Sequence, residues 1–470
     1  MFKKLCLLTT SLVLVGGTVW AEEPAPYNCD FSPSCEVSPG IYGAMGSPVM
    51  SKFKMSIGGY IKLDYAHNTN DVGPLAPGAP GGNLSTRAAG PGAKDESVFT
   101  ARQSRFWLKV AGPTFLGAKT NALIEADFYG TGNLANEFGN ARMRHAYGSM
   151  DWTNTQILFG QFWDVFGPAA ADTIDFRQGG TTGAPSSPRV PQIRLTQKVN
   201  FTPDNTLKIV VAVQNPVQDA GSSALPTPAG NTPWYLTSGG DSSMSKYYGT
   251  YGSMVNVAGQ LIFSSKMLGV SPGMMSLGMS PLQLGLFGID GNAKYFSTTT
   301  SNQSIKTYGY GAYAFVPVLK SSDGKSRSMT LSLEGQVYRG QGLDVQGGTN
   351  GLANAGAGSA TLVGATPTLA GAIGRGYYGQ AKFHPTQDLA LTAGHMARLQ
   401  DGDQFAGLRY ESKNQLSYAN ATYDLNAAVR LATEFEHMET HYGGLPGNLT
   451  GANGPYAQNN TFRVAAYYFF

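Results

Sequence analysis

Charge is scarce in this chain. Asp, Glu, Lys and Arg make up 13% of its 470 residues, about half the share of an ordinary soluble domain. The small net charge of +3 argues against a nucleic-acid partner, which would require a basic surface able to displace counterions. Cysteine is as rare, with only Cys6, Cys29 and Cys35 present. Long apolar runs are missing too. Beyond the first twenty or so residues, no stretch supplies the ~20 apolar residues that a membrane helix needs. Enzyme signatures are also missing: there is no G-x-S-x-G, no Walker loop and no H-E-x-x-H. Gly374-Arg-Gly376-Tyr-Tyr-Gly379 has the spacing of a dinucleotide loop, but no strand precedes it and no helix follows it to cradle a pyrophosphate. No catalysis, cofactor or metal is expected.

What the chain has instead is glycine (61 residues), tyrosine (24) and phenylalanine (23). At its start, Lys3 and Lys4 precede an apolar run from Leu5 to Val15 and small residues up to Ala21. That is the pattern of a secretory signal peptide, expected to be cut after Ala21. Its loss would remove two of the positive charges and leave the mature chain near neutral. Cys29 and Cys35 would then lie in an oxidising compartment, where they can close a small structural loop. Residues 22–54 read as a periplasmic N-terminal segment and 55–470 as the body of the protein.

Lipid leaves no backbone group unsatisfied, so spans that are not helices must form a closed sheet. Its strands alternate apolar residues outward with polar residues toward the lumen. Thr461–Phe470 shows the pattern, with Phe462, Val464, Ala466, Tyr468 and Phe470 on one face. Met329–Val337 turns Thr330, Ser332, Glu334 and Gln336 inward, and Val429–Phe435 does the same with Arg430 and Glu434. Compact breaker clusters such as Gly112-Pro113, Ser322-Asp-Gly324 and Asp424-Leu-Asn426 alternate with long Gly-, Pro-, Ser- and Asn-rich joins. The join 264–280 is longer than a short turn should be. These features predict an all-β, transmembrane, antiparallel up-and-down β-barrel of about sixteen strands, with long outer loops and short periplasmic turns.

Basic residues fall where the lumen should be. Phe106, Leu108 and Val110 face lipid, so Arg105, Trp107 and Lys109 point inward. Arg142 and Arg144 share a face opposite Met143, His145 and Tyr147, and Arg194 adds to the same half. Asp64, Glu125 and Asp127 supply facing acids. These charges could pair to stiffen the wall or set up a field that guides solutes, and one residue can serve both ends. The stretch 163–189, carrying Asp164, Asp172, Asp175, Arg177 and Arg189, has the length to fold inward as a constriction or to extend outside. His437, Glu439 and His441 share one strand face, a spacing that can ligate metal but also arises by chance in polar loops.

Several of these residues fall into a familiar run. Gly58-Gly-Tyr60-Ile-Lys62, Phe99-Thr-Ala-Arg102-Gln-Ser-Arg105-Phe106, Glu125-Ala-Asp127-Phe-Tyr-Gly130, Ala141-Arg142-Met-Arg144-His145-Ala-Tyr147-Gly148 and Pro191-Gln192-Ile193-Arg194 resemble the motifs of DcaP-type trimeric outer-membrane porins. The likeness covers about residues 55–200. It implies a sixteen-stranded homotrimer in outer-membrane lipid, taking up small organic anions such as dicarboxylates past an arginine-lined constriction. Arg102, Arg105, Arg142, Arg144 and Arg194 are the positions that match. Such porins typically begin with a periplasmic coiled coil, whereas residues 22–48 here are Pro-rich and lack heptads. The expectation is a passive diffusion channel for small hydrophilic solutes. The alternative is a plugged structural or adhesive barrel whose long loops bind a partner.

Overall fold

The alternating segments become successive strands of one closed sheet. The computed structural model describes residues 53–69, 96–130, 140–174, 189–214, 255–273, 276, 278–295, 303–341, 361–363, 368–370, 373–400, 410–443 and 456–470. The expected signal segment 1–21, Cys29, Cys35, Asp175 and Arg177 lie outside the described residues.

The strands begin with β1 (Lys54–Asn68), β2 (Glu96–Thr100), β3 (Arg105–Ala111), β4 (Lys119–Gly130), β5 (Asn140–Asp151) and β6 (Thr155–Trp163). They continue with β7 (Arg189–Thr202), β8 (Asn205–Gln214), β9 (Asn256–Pro272), β10 (Met279–Tyr295), β11 (Gln303–Leu319) and β12 (Thr330–Gln341). After the short β13 (Thr361–Val363) and β14 (Thr368–Ala370) come β15 (Ile373–His384) and β16 (Leu389–Gln400). The last are β17 (Tyr410–Asp424), β18 (Val429–Gly443) and β19 (Tyr456–Phe469). β13 and β14 pair only with each other. β2 and β3 both pair with β1 as one interrupted strand, so sixteen antiparallel strands make the barrel. It closes where β1 meets β19, from Tyr60 opposite Phe469 to Asn68 opposite Thr461. Among the described residues, no helix is long and apolar enough to cross a membrane.

The two faces separate as the alternation requires. Ile57, Ile61, Leu63, Phe106, Ile124, Ile193, Val211, Leu286, Val337, Phe435, Phe462 and Tyr468 are exposed on the outside. Tyr60, Lys62, Asp64, Arg105, Glu125, Arg194, Lys208, Thr330, Glu334 and Glu434 are buried inside. In water such an outer face would be an aggregation hazard; it suits hydrocarbon.

Glycine and aromatic residues meet across the strands. Trp107 lies directly opposite Gly58, Phe159 opposite Gly148, Phe287 opposite Gly311 and Tyr418 opposite Gly394. A Cβ added at Gly148 would sit 2.7 Å from the Phe159 ring, and the other three positions are as crowded. Each ring therefore lies flat over a neighbour that has no side chain and fills the space that a strand glycine leaves open.

Short turns carry their own chemistry. The Asp323 carboxylate accepts hydrogen bonds from the backbone amides of Lys325 (2.8 Å) and Ser326 (2.6 Å). These bonds favour its charged form and hold its carboxyl below the usual range. Asn426 Oδ1 likewise accepts from the amides of Ala428 and Val429, at 2.7 and 2.9 Å.

Two expectations are corrected. The join 264–280 is mostly strand: β9 runs to Pro272 and β10 starts at Met279. Its extra length is a bulge, because the pairing with β10 jumps from Ser265 to Val270, and Gly269 turns at φ 75°. In β5 the simple alternation also breaks. Glu125 lies opposite His145 but Ala126 opposite Met143, which leaves Arg144 as an inserted residue. A bulge shifts the phase of the side chains. His145 and Tyr147, placed outward by strict alternation, are consequently buried inside with Arg144.

Candidate solute-guiding wall and inward segment

The inward faces of β3, β4 and β5 bring opposite charges together. Arg144 donates from Nε to Glu125 Oε1 at 2.6 Å and from Nη1 to Asp127 Oδ2 at 2.8 Å. Arg142 grips the same Asp127 through two bonds, of 2.9 and 2.5 Å. Arg105 Nε stands 3.6 Å from Glu125 Oε1, with its guanidinium over the Tyr60 ring at 5.5 Å. Register dictates this meeting, since Arg105 is directly opposite Asp127 and Trp107 opposite Glu125. The bulge in β5 then delivers two arginines to the two acids.

Further basic groups adjoin on aromatic faces. Arg189 and Arg144 lie over Trp163 at 4.8 and 5.7 Å, and Arg194 lies over Phe162 at 5.3 Å. Four guanidiniums, those of Arg105, Arg142, Arg144 and Arg189, thus cluster around two carboxylates, Glu125 and Asp127. Arg105 and Arg144 side chains are only 2% exposed, whereas Arg142 is 25% exposed and open to solvent. Lys109 points inward nearer the short-turn end, where Asp151 is its electrostatic neighbour. Arg102 lies in the break between β2 and β3, its carbonyl accepting from the Phe128 amide at 3.2 Å.

The described part of the stretch after β6, residues 164–174, runs inside the barrel. Inward amides receive it strand by strand. Gln214 of β8 donates to Asp164 Oδ1 (2.6 Å), Gln260 of β9 to the Val165 carbonyl (2.6 Å) and Gln336 of β12 to that of Ala169 (3.0 Å). Gln380 of β15 accepts from the Asp172 amide at 2.8 Å, and Asn420 of β17 donates to the Asp172 carbonyl at 2.7 Å. Glu434 of β18 accepts from the Ile174 amide at 2.8 Å, and Lys62 of β1 donates to the Ile174 carbonyl at 2.6 Å. Lys382 of β15 forms a buried ion pair with Asp172. Beneath the segment, Val165, Phe166 and Ala169 pack on Phe287, Tyr313, Tyr338 and Tyr378. The segment is therefore fastened along the wall from β8 to β18 and round to β1, facing the arginine cluster on β3–β7.

No protein-family model matches the chain, and no curated protein does. Solved structures do. The outer membrane channel DcaP of Acinetobacter baumannii superposes over 90% of this chain and 99% of its own, at TM-score 0.59 and 15% identity. The fold is that of an outer-membrane porin. OprB of Pseudomonas putida matches over 88% of this chain and 94% of its own, at TM-score 0.49 and 11% identity. An anion-selective porin from Comamonas acidovorans matches over 89% of this chain and 100% of its own, at TM-score 0.46 and 9% identity. The likeness to DcaP-type channels read from residues 55–200 extends, as a fold, over 90% of the chain.

Within this porin fold, strict alternation found Arg105, Lys109, Glu125, Asp127, Arg142, Arg144 and Arg194. It missed His145, which needs the bulge, and although it turned Gln336 inward it did not show that inward amides hold residues 164–174. Those amides had a signal: Gln214, Gln260, Gln336 and Gln380 all fall in the inward phase of their strands. His437, Glu439 and His441 lie on the outside of β18, where both imidazoles bond Glu439, at 3.2 and 3.3 Å. Among the described residues, no group of three or more His, Cys, Asp or Glu side chains is placed to hold a metal ion.

Proposed function

We propose that the protein is a passive outer-membrane pore for small hydrophilic solutes, with a preference for small organic anions such as dicarboxylates. One observation carries the reading: four guanidiniums surround two carboxylates on one inner wall of a porin-fold barrel. Glu125 and Asp127 hold Arg105 and Arg144 in place, and Arg142, bonded to Asp127 yet 25% exposed, turns positive charge toward the solvent side of the wall. A solute carboxylate would be drawn along this wall and pass on down its gradient. The protein itself does no chemistry in this reading and needs no cofactor or metal. The proposal extends to export through residues 1–21, a Cys29–Cys35 disulfide in the segment 22–54, and a homotrimer in outer-membrane lipid. The described edge of the long stretch, 164–174, narrows the lumen opposite the basic wall.

One observation favours the plugged barrel instead: Arg105, Arg144, Glu125 and Glu434 are nearly wholly buried, as they would be beneath a plug. Reversal potential across a planar bilayer under a salt gradient separates the two. A unit charge ~5 Å from a passing ion acts with about 0.8 kcal/mol even at the dielectric of water, roughly a fourfold change in relative permeability. Large conductance steps with anion preference, reduced about that much by Arg142→Gln, are expected. Cation preference would discard the arginine guide, and absence of conductance would favour the plug.

A further inference from the structure

The outer face of β12 and β15 ends in charge. Outward residues of β12 run Leu331, Leu333, Gly335, Val337 and then Arg339, toward the long-join end. On β15 Phe383, Ala381, Gly379 and Tyr377 lead in the same direction to Arg375. The register sets Arg339 directly opposite Arg375, and both are exposed. From Leu331 to Arg339 the strand runs ~26 Å, about 20 Å of height at the usual barrel tilt, so the arginines stand toward the upper edge of the apolar band, where lipid head groups begin. Tyr310 on β11 is directly opposite Arg339 on its other side and is 57% exposed. Tyr377 completes the setting, and tyrosines at this height mark a membrane interface. Two like charges directly across a strand pair repel each other, yet two guanidiniums so placed also form a fork matched to phosphate.

Directly below, the wall sinks. Ala312 and Ala314 of β11 face Val337 and Gly335 on one side and Leu286 and Leu284 on the other. Small residues between large ones leave a groove of about 800 Å³ along β9–β12. Its upper end lies under Tyr310 and Arg339.

We propose that this face holds a lipid bearing a phosphate group, with the phosphate between Arg339 and Arg375 and an acyl chain along the groove. Charge complementarity selects an anionic head, and the groove demands a chain, which inorganic phosphate lacks. The site depends on the barrel's standing in a membrane and is independent of what crosses the lumen.

Native mass spectrometry of the purified protein in dodecylmaltoside tests it, using phosphatidic acid, phosphatidylcholine of the same chains, and sodium phosphate as probes. Phosphatidic acid should be retained about tenfold more tightly than phosphatidylcholine, as expected when charge-assisted bonds are gained. Sodium phosphate should compete poorly. Arg339→Gln with Arg375→Gln should erase the preference for phosphatidic acid, while Ala312→Leu, which fills the groove between Val337 and Leu286, should weaken both lipids. All three positions are on the outer face, and heat-dependent gel mobility confirms that each variant is folded. Equal retention of the two lipids, or indifference to both variants, would overturn the proposal. So would full displacement by sodium phosphate, or an Ala312→Leu variant that splits an oligomer while lipid retention stays the same. That last result would assign the groove to a second copy of the chain.

Discussion

The ion pair between Asp172 and Lys382 permits a demanding test of how the inward segment is held. Both side chains are 4% exposed, and removing one partner of a buried pair typically costs about 3–5 kcal/mol because the other charge is stranded. Lys382 keeps a second acceptor, the Gly273 carbonyl at 2.6 Å, so Asp172→Asn should fall near the low end, about 3 kcal/mol. Lys382→Met should cost a similar amount by leaving the carboxylate behind. The double variant strands neither charge and keeps the backbone bonds of Asp172 to Gln380 and Asn420. Its cost should be far below the sum of the two singles, with a coupling of about 2–3 kcal/mol. Urea unfolding of the micelle-folded protein, followed by tryptophan fluorescence, measures all four corners. Single-channel recordings of the same variants should show added current noise for Asp172→Asn, as the far end of 164–174 loosens. Single costs that simply add, within about 0.5 kcal/mol, would show that the pair does not fasten the segment.

Glu125→Gln withdraws the carboxylate shared by Arg144 and Arg105. It should destabilise by about 3 kcal/mol while raising anion preference, and unchanged reversal potential would remove Glu125 from the field at the wall. Gly58→Ala should cost about 1–3 kcal/mol by forcing Trp107 off its seat, whereas Gly379→Ala meets nothing within 4 Å and should be nearly neutral. Comparable unfolding midpoints for these two variants would contradict the seat. At Asp323 the lowered carboxyl value means its support of the turn is intact at neutral pH and lost as pH falls through that value. The protection factor of the Ser326 amide, its exchange relative to the intrinsic rate at each pH, should therefore fall in acid, and Asp323→Asn should make that protection independent of acid pH. An acid response that survives the substitution would point to another group.

Much of the barrel was legible because lipid and lumen impose opposite demands on alternate residues. Leu333 and Val337 could be assigned outward, and Ser332 and Glu334 inward, without knowing any partner strand. Arg105 and Glu125 were legible for the same reason. What alternation could not show was its own interruption. The bulge at Arg144 depends on how β4 and β5 pair, and nothing local marks His145 as inward. The 264–280 join misled likewise, because its Met, Gly and Ser residues look like a loop while the neighbouring strand holds most of them extended. The fastening of 164–174 was beyond reach for a different reason: its partners come from strands up to 260 residues away.

The glycine seats bear on how the barrel finds its pairing. A slip of one residue would turn apolar side chains toward the lumen and is resisted by lipid and water alike. A slip of two keeps every side chain on its proper face, so the hydrophobic pattern is blind to it. The rings are not. Moved by two, Trp107 would meet Ser56 or Tyr60 in place of Gly58, and Tyr418 would meet Thr392 or Met396 in place of Gly394. With such seats between β1 and β3, β5 and β6, β10 and β11, and β16 and β17, the sheet carries notches that count residues in pairs around its circumference.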